Sequence, residues 1–227
     1  MNRLRSYLHP DSKILEIGSG NGGILEVFKT AGFTNLFGVE PNIKEAEYCN
    51  TILGINTFEG VFEDYNEGGF DLILVGGTID HIRDPAEFLG SIRKKLNTDG
   101  IFYVDAHDSV AQLVDSDIFF KIDHCFYYSP ISLDMLLAIS GLRVMSFEKY
   151  SDYENVVDFA HSARVSWKRQ FKPHFNFIAK AEQIQDIKKI VFSRFDFINL
   201  DLRIIRKHRL VYLLFYAVKK LWVRINY

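Results

Sequence analysis

The sequence predicts an α/β fold: a doubly wound Rossmann-like sheet, mainly parallel, with a C-terminal antiparallel hairpin and a helical C-terminal extension. Two observations predict it. Between residues 13 and 105, short apolar segments alternate with stretches of helical periodicity, which indicates βαβ units and a parallel sheet. The first apolar segment runs directly into the glycine-rich sequence 18–23, which is typical of a strand that turns tightly into a helix. Ligands of such sheets bind at the carboxyl ends of the strands.

The individual elements follow from periodicity and from turn residues. Strands are predicted at residues 13–17, 35–40, 55–61, 70–75, 101–105, 142–150 and 175–179. Helices are predicted at residues 22–30, 43–53, 86–96 and 132–140, with a turn at 97–100. Asp84 and Pro85 are expected to begin the third of these helices. Residues 110–120 are expected to form a short helix or lid, and the polar, aromatic stretch 151–174 a long connection.

Composition limits the class of protein. Of 227 residues, 48% are hydrophobic and 25% are charged, which indicates a globular chain. A net charge of -2 argues against a general nucleic-acid binder. The two cysteines are far apart, so we expect no disulfide framework and a reducing, cytoplasmic location. No signal peptide is evident near Met1, and no apolar run is long enough to span a membrane, so a soluble protein is expected.

The C-terminal region is expected to be a separate part of the chain. We divide the sequence into a Rossmann-like domain, residues 1–182, and a helical, basic extension, residues 183–227. No acidic residue follows Asp201, and basic residues bracket an apolar, aromatic segment at 210–218. Two interpretations stay open: residues 202–227 bind peripherally to a membrane, or they pack against the core or a protein partner.

The glycine turn is compatible with more than one class of nucleotide ligand. Gly18, Gly20 and Gly23 fit the G-x-G-x-x-G spacing of dinucleotide sites, which keeps an NAD-dependent oxidoreductase as an alternative. Glu40 follows about twenty residues later, at the end of strand two, where a carboxylate can accept both hydroxyls of a ribose. Glu16 lies beneath the turn, where a carboxylate would repel a pyrophosphate and would suit a ligand with amino and sulfonium groups.

Three segments resemble motifs of the class I S-adenosylmethionine-dependent methyltransferases. Residues 14–22 (ILEIGSGNG) resemble the first motif of that superfamily. Residues 70–73 followed by 79–85 (IDHIRDP) are similar to its fourth strand and "E-H-hydrophobic-x-D-P" segment, and residues 96–101 to its "L-K-P-G-G" turn. The motifs occur in the order that the superfamily has, and the resemblance implies S-adenosylmethionine as the cofactor.

The resemblance also implies a set of cofactor-binding residues. It places Glu16, Gly18, Ser19, Gly20 and Asn21 at the methionine end, and Glu40 at the ribose hydroxyls. It places Pro41 and Asn42 beside the adenosine, Val61, Phe62 and Glu63 near the adenine, and Gly76 and Gly77 in the floor beside the methyl group. Two features depart from the pattern. Val61 stands where the family often has an acid, and few residues precede strand one, so we expect the lid to come from another segment or from a partner surface.

Candidate catalytic groups follow strand five. We expect His107 or His124 to act as a general base, each oriented by a neighbouring aspartate, although hydrogen bonding to the fold explains either histidine equally well. Residues 123–130 are similar to the "D-H-x-x-x-F-S-P" segment of sugar and small-molecule methyltransferases, which implies a small-molecule or sugar-linked acceptor. His81 is expected to be structural. We expect no metal, although Asp105, His107 and Asp108 could ligate one together with His124. A non-catalytic nucleoside-binding adaptor is the remaining alternative.

Overall fold

The computed structural model describes residues 2–109, 123–151 and 173–181. These residues form one seven-stranded sheet in the order β3-β2-β1-β4-β5-β7-β6. The strands are β1 Ile14–Ile17, β2 Leu36–Glu40, β3 Asn56–Glu59, β4 Phe70–Gly76, β5 Leu96–His107, β6 Leu142–Ser151 and β7 Pro173–Ala181. Strands β1 and β4 are therefore parallel neighbours at the centre of the sheet, and their carboxyl ends lie side by side.

The strand directions confirm the predicted fold class. Strands β1 to β5 pair in parallel, whereas β7 pairs antiparallel with both β5 and β6. Parallel strands need crossover connections. α-Helices lie between β1 and β2, β2 and β3, and β4 and β5, whereas the 3₁₀ turn Phe62–Asp64 lies between β3 and β4. Helices α1 Asn2–Arg5, α2 Gly23–Thr30, α3 Ile43–Tyr48, α4 Pro85–Lys95 and α5 Pro130–Ile139 are the α-helices among the described residues.

Apolar side chains cover both faces of the sheet. On one face, Phe88 and Ile92 of α4 and Leu133 of α5 pack with residues such as Phe102 in one buried cluster. On the other face, Leu25 and Phe28 of α2 pack with Ile14, Leu72 and Ile178 in a second cluster. Because the central strands are buried on both faces, their sequences are continuous apolar runs in which apolar and polar residues do not alternate.

The predicted end of β3 was wrong, and one predicted helix differs in type. Strand β3 ends at Glu59, so Val61 lies outside the strand and precedes a 3₁₀ turn, Phe62–Asp64. The bounds of the helix predicted at 43–53 are confirmed, but it is an α-helix only to Tyr48 and continues as a π-helix, Cys49–Leu53. The Asn50 side chain lies at this transition, where it hydrogen-bonds to the backbone N–H and C=O of Thr57 at 2.9 and 2.8 Å and so ties the wider turn to β3.

The predicted start of β5 was also wrong, because the strand begins at Leu96 rather than after the predicted turn. Phe70 pairs with Leu96 and Leu72 pairs with Ile101, so residues 97–100 form an insertion in the ladder. The predicted start of α4 is confirmed: Pro85 is its first residue, and the Asp84 side chain accepts a hydrogen bond from the Glu87 N–H at 3.0 Å.

Several predictions fall outside the described residues. They are the lid at 110–120, most of the connection at 151–174, and the extension 183–227 with its basic segment 202–227. The division at residue 182 therefore stays a prediction. Within the described ranges, no helix has the length and apolar character needed to cross a membrane.

Candidate active site

Several backbone N–H groups of the glycine turn after β1 donate hydrogen bonds to residues of the neighbouring strand β2. Gly18 and Ser19 donate to the Val39 carbonyl at 2.8 and 3.2 Å, and Gly20 donates to Oε2 of Glu40 at 2.8 Å. Gly18 and Gly20 have φ values of +70° and +51°, a backbone conformation that favours glycine. The turn is therefore fixed against β2, and these N–H groups are already paired to protein oxygens.

Glu16, the third residue of β1, places its carboxyl group at the N-terminus of α2. The residue is 2% exposed and accepts a hydrogen bond from the backbone N–H of Leu25, the third residue of α2, while its Oε2 atom has no partner. A helix N-terminus is where a dinucleotide site receives its pyrophosphate. Because a protein carboxyl group is hydrogen-bonded there, the geometry disfavours a pyrophosphate and favours a ligand that offers a positive charge or a donor.

The surroundings of Glu16 also change its acidity. Burial raises the pKa of Glu16 from its ordinary 4.5 to about 8, the Leu25 N–H opposes that shift, and the nearby Glu40 carboxylate adds to it. In the protein without a ligand, Glu16 is consequently mostly protonated at neutral pH. A cationic group brought next to Oε2 would favour the ionised form.

Glu40 lies at the end of β2 with both carboxylate oxygens held in place. Oε2 accepts from the Gly20 N–H and Oε1 accepts from the Asn42 N–H, each at 2.8 Å. Each oxygen retains acceptor capacity beyond one hydrogen bond. This geometry suits two adjacent hydroxyl groups, as a ribose presents.

The other predicted cofactor residues differ in what they expose. Ser19 is buried, and its hydroxyl has no hydrogen-bond partner and lies where a Cβ on Gly38 would come within 2.8 Å of it, so the Ser19 side chain faces the protein interior. Phe62 is buried and contacts Phe88 in a T-shaped arrangement, so its side chain belongs to the core. The remaining exposed or partly exposed positions of the predicted set are Asn21, Pro41, Asn42, Val61, Glu63, Gly76 and Gly77.

Gly76 and Gly77 lie at the carboxyl end of β4, next to the glycine turn. The Gly77 N–H donates to the Asp105 carbonyl at 3.1 Å, and a Cβ on Gly77 would meet no atom within 4 Å. A Cβ on Gly18, by contrast, would lie 2.4 Å from Oγ1 of Thr78. The glycine turn after β1 and the segment that follows β4 therefore lie close together at Gly18 and Thr78, whereas there is open space next to Gly77.

His107 ends β5 and contacts an aspartate that the sequence did not single out as its partner. Nδ1 of His107 lies 3.2 Å from Oδ2 of Asp80, a residue that is 2% exposed and belongs to the 3₁₀ turn Ile79–His81. The expected orienting residues were the neighbours of His107 in sequence. Asp108 instead lies 3.2 Å from the Lys149 ammonium. Asp80 reaches His107 because β4 and β5 are parallel neighbours whose carboxyl ends lie together. In the sequence, this pairing is indicated only by the presence of an acidic residue, Asp80, just before His81.

His124 lies in the same region, together with His81. The His124 ring centroid is 4.8 Å from that of His81 and 6.0 Å from that of His107. Within the described part of the chain, the group of three side chains suited to metal binding consists of His81, Asp123 and His124. The set that the sequence suggested for a metal, Asp105, His107 and Asp108 with His124, does not form such a group there.

Fold and site together define a Rossmann-like nucleoside-binding domain with a histidine–aspartate pair at its ligand edge. A family model described as "Methyltransferase domain" matches residues 1–146, which is more than half of the chain. The chain belongs to this methyltransferase domain family. The membership implies S-adenosylmethionine as the cofactor and replaces the NAD alternative.

Individual relatives agree with this assignment. Over 99 residues the chain is 33% identical to a protein of Caulobacter vibrioides named ubiquinone biosynthesis O-methyltransferase. That match covers 40% of the chain and 39% of the relative, so the chain spans well under half of the length of this curated relative.

Solved structures show the fold. An S-adenosylmethionine-dependent methyltransferase from Methanosarcina mazei has a TM-score of 0.59 at 15% identity, and the match covers 81% of this chain and 99% of that one. One from Thermotoga maritima has a TM-score of 0.55 at 20% identity, with 78% and 86% covered.

Proposed function

We propose that the chain transfers the methyl group of S-adenosylmethionine to a hydroxyl group of a small-molecule or sugar-linked acceptor. The observation that carries this proposal is the His107–Asp80 pair, which lies at the carboxyl ends of β5 and β4 beside Gly77. A pair of this kind provides a base for a hydroxyl nucleophile, which a non-catalytic adaptor does not need. The Caulobacter vibrioides relative is named an O-methyltransferase, which also favours oxygen as the methyl acceptor.

The proposed cofactor site is formed by residues whose chemistry suits S-adenosylmethionine. Glu16 would face the ammonium group of the cofactor, and Glu40 would accept hydrogen bonds from the ribose hydroxyls. Asn42 and the exposed Val61 would flank the nucleoside, since both lie near the end of β2 or β3. When bound, S-adenosylmethionine supplies a methyl carbon that is electrophilic because it is attached to a sulfonium.

His107 has a defined task in this scheme. A carboxylate oxygen accepts hydrogen bonds, so Nδ1 of His107 carries the proton toward Asp80, and Nε2 keeps the lone pair. When the acceptor oxygen displaces the methyl group from the sulfonium sulfur, the hydroxyl proton would move to Nε2 of His107. Asp80 stabilises the resulting imidazolium. His124 remains a second candidate base.

An acceptor panel tests the proposed reaction. Methyl-labelled S-adenosylmethionine would be incubated with the protein and with phenolic, sugar-linked and amine-bearing small molecules in separate reactions. We expect label to enter hydroxyl-bearing acceptors and to depend on His107. Tight binding of S-adenosylhomocysteine without transfer to any acceptor class would instead support the adaptor.

Glu16→Gln is expected to change two properties in opposite directions. The folded protein holds a proton on Glu16 up to about pH 8, whereas the unfolded chain releases it near 4.5. The free energy of unfolding of the wild type should therefore fall as pH rises through this window, by an amount on the order of a few kcal/mol. The glutamine variant should lack that fall, and urea unfolding at pH 6 and pH 8.5 measures it.

The same variant should bind the cofactor product more weakly. Ionised Glu16 would attract the ammonium group of S-adenosylhomocysteine, so wild-type affinity should rise with pH between 6 and 8, with release of a proton. Glu16→Gln should weaken binding at least about tenfold and abolish the pH dependence. Glu45→Gln, another carboxylate near the turn, is the matched control. A pH-independent wild-type affinity would refute this role of Glu16.

A further inference from the structure

A cluster of metal-ligating side chains lies next to the His107–Asp80 pair. His81, Asp123 and His124 each offer a ligand atom, and these atoms lie within 4.8 Å of one another. His81 comes from the turn after β4, whereas Asp123 and His124 come from the segment that precedes α5. The cluster is thus formed by the fold and not by neighbours in sequence alone.

The hydrogen bond of His81 fixes which of its nitrogens is available. Nδ1 of His81 lies 2.8 Å from the backbone carbonyl oxygen of Asp123. A carbonyl oxygen only accepts, so Nδ1 donates, and in the neutral ring Nε2 is left with the lone pair. Metal-ligating histidines are held in this way, with the second ring N–H donated to a carbonyl or carboxylate.

The two segments that supply the ligands are joined by backbone hydrogen bonds. The N–H groups of Cys125 and Phe126 donate to the Asp80 carbonyl at 2.8 and 3.1 Å. Residues adjacent to His81 and His124 are therefore tied together in the absence of any ion, which reduces the entropy lost when a metal is bound. The side chains of His81 and Asp123 are 40% and 61% exposed, so an ion can reach them from solvent.

We propose that His81, Asp123 and His124 bind a divalent transition-metal ion, with Zn²⁺ as the reference ion. Two imidazoles and one carboxylate are the donors of open zinc sites that keep a position for water or substrate, and imidazole selects Zn²⁺ or Co²⁺ over Mg²⁺. The carboxylate leaves the bound ion with a net charge of about +1. Occupancy of the site does not depend on the proposed methyl transfer.

The position of the cluster also gives the ion a role, and this part rests on the proposed function. The His124 ring lies 6.0 Å from that of His107, so an ion held by the cluster would lie close to the proposed base. Such an ion would act as a Lewis acid that makes a nearby acceptor hydroxyl more acidic, and His107 would then take its proton more readily. In this arrangement His124 is a metal ligand and His107 the base.

Cobalt titration tests the site directly. Protein treated with a chelator and then dialysed would be titrated with Co²⁺, whose visible absorption reports tetrahedral or five-coordinate binding. We expect one ion per chain, displaced by Zn²⁺, and an affinity at least about tenfold weaker in Asp123→Asn and in His124→Gln. Asp99→Asn and His9→Gln, which change exposed residues outside the cluster, should leave the affinity unchanged.

Two control measurements separate metal binding from a loss of folding and from the proposed methyl transfer. Asp123→Asn should keep its affinity for S-adenosylhomocysteine, which shows that the variant folds, and its methyl transfer should lose sensitivity to added Zn²⁺. Equal cobalt affinity in the wild type and both cluster variants would overturn the metal site, as would a wild type that binds no Co²⁺. Absence of methyl transfer in the metal-loaded protein would instead contradict the proposed function and leave the titration result intact.

Discussion

Replacing His107 with glutamine is expected to lower the rate of methyl transfer by about 10²- to 10⁴-fold, the range that general-base catalysis contributes. The amide of glutamine can hydrogen-bond but cannot accept the acceptor's proton. His107 is partly exposed at the end of β5 and is not part of the apolar core, so the fold should tolerate the change. Single-turnover methyl transfer with labelled cofactor measures the rate, and titration with S-adenosylhomocysteine should give an affinity within about twofold of the wild type.

The variant Asp80→Asn tests whether Asp80 positions His107, the residue that we propose accepts the proton. Asp80 touches His107 and not the acceptor, so we expect the variant to lose about 10²-fold or more in rate, because an amide at this position favours the wrong tautomer of the imidazole. The pH profile of kcat/KM should also shift, since a carboxylate no longer stabilises the imidazolium. Asp80→Glu should restore part of the rate. If His107→Gln transfers methyl groups at the wild-type rate, His107 is not the base, and His124→Gln becomes the decisive variant.

Gly18→Ala is expected to impair both stability and cofactor binding. Alanine at φ +70° is strained, and its Cβ would lie 2.4 Å from Oγ1 and 2.8 Å from Cγ2 of Thr78. Threonine is branched at Cβ and has little rotamer freedom, so the turn must move instead. We expect a loss of about 1–3 kcal/mol in the free energy of unfolding, measured in urea, and at least about tenfold weaker binding of S-adenosylhomocysteine.

Two further variants show whether the contact with Thr78 is the cause. Gly32→Ala has a comparable backbone strain, at φ +95°, but its Cβ would meet no atom within 4 Å. It should cost about 1 kcal/mol and leave cofactor affinity unchanged. In a double-mutant cycle, Thr78→Ala should reduce the cost of Gly18→Ala, because it removes the two closest atoms. Additive effects in that cycle would show that the strain of the backbone alone explains the loss.

Much of the sheet could be predicted because its signals are local. The apolar runs at 14–17 and 70–75 are long enough to identify buried strands, and glycines mark their ends. Glu16 and Glu40 could be singled out because each occupies a fixed place relative to the turn between β1 and α2. Their hydrogen bonds to Leu25, Gly20 and Asn42 agree with a site at that place, although the sequence did not indicate them.

The remaining features depend on contacts between distant segments. Asp80 and His107 are 27 residues apart, and the sequence offers each a nearer candidate partner. The burial of Phe62 depends on Phe88, and the insertion at 97–100 depends on how β5 pairs with β4. The proposed metal site was missed for the same reason, since the contacts that bring His81 to Asp123 and His124 join distant segments: the His81 ring bonds the Asp123 carbonyl, and the Asp80 carbonyl bonds the N–H groups of Cys125 and Phe126.

We infer that the turn after β1 holds a cationic sulfonium nucleoside and not a dinucleotide. Calorimetric titration of the full chain with S-adenosylhomocysteine and with NADH tests it most directly. We predict a one-to-one titration with S-adenosylhomocysteine in about the micromolar range, weakened by Glu40→Ala, and no measurable heat with NADH. Binding of NADH together with an absence of binding by S-adenosylhomocysteine would contradict the account.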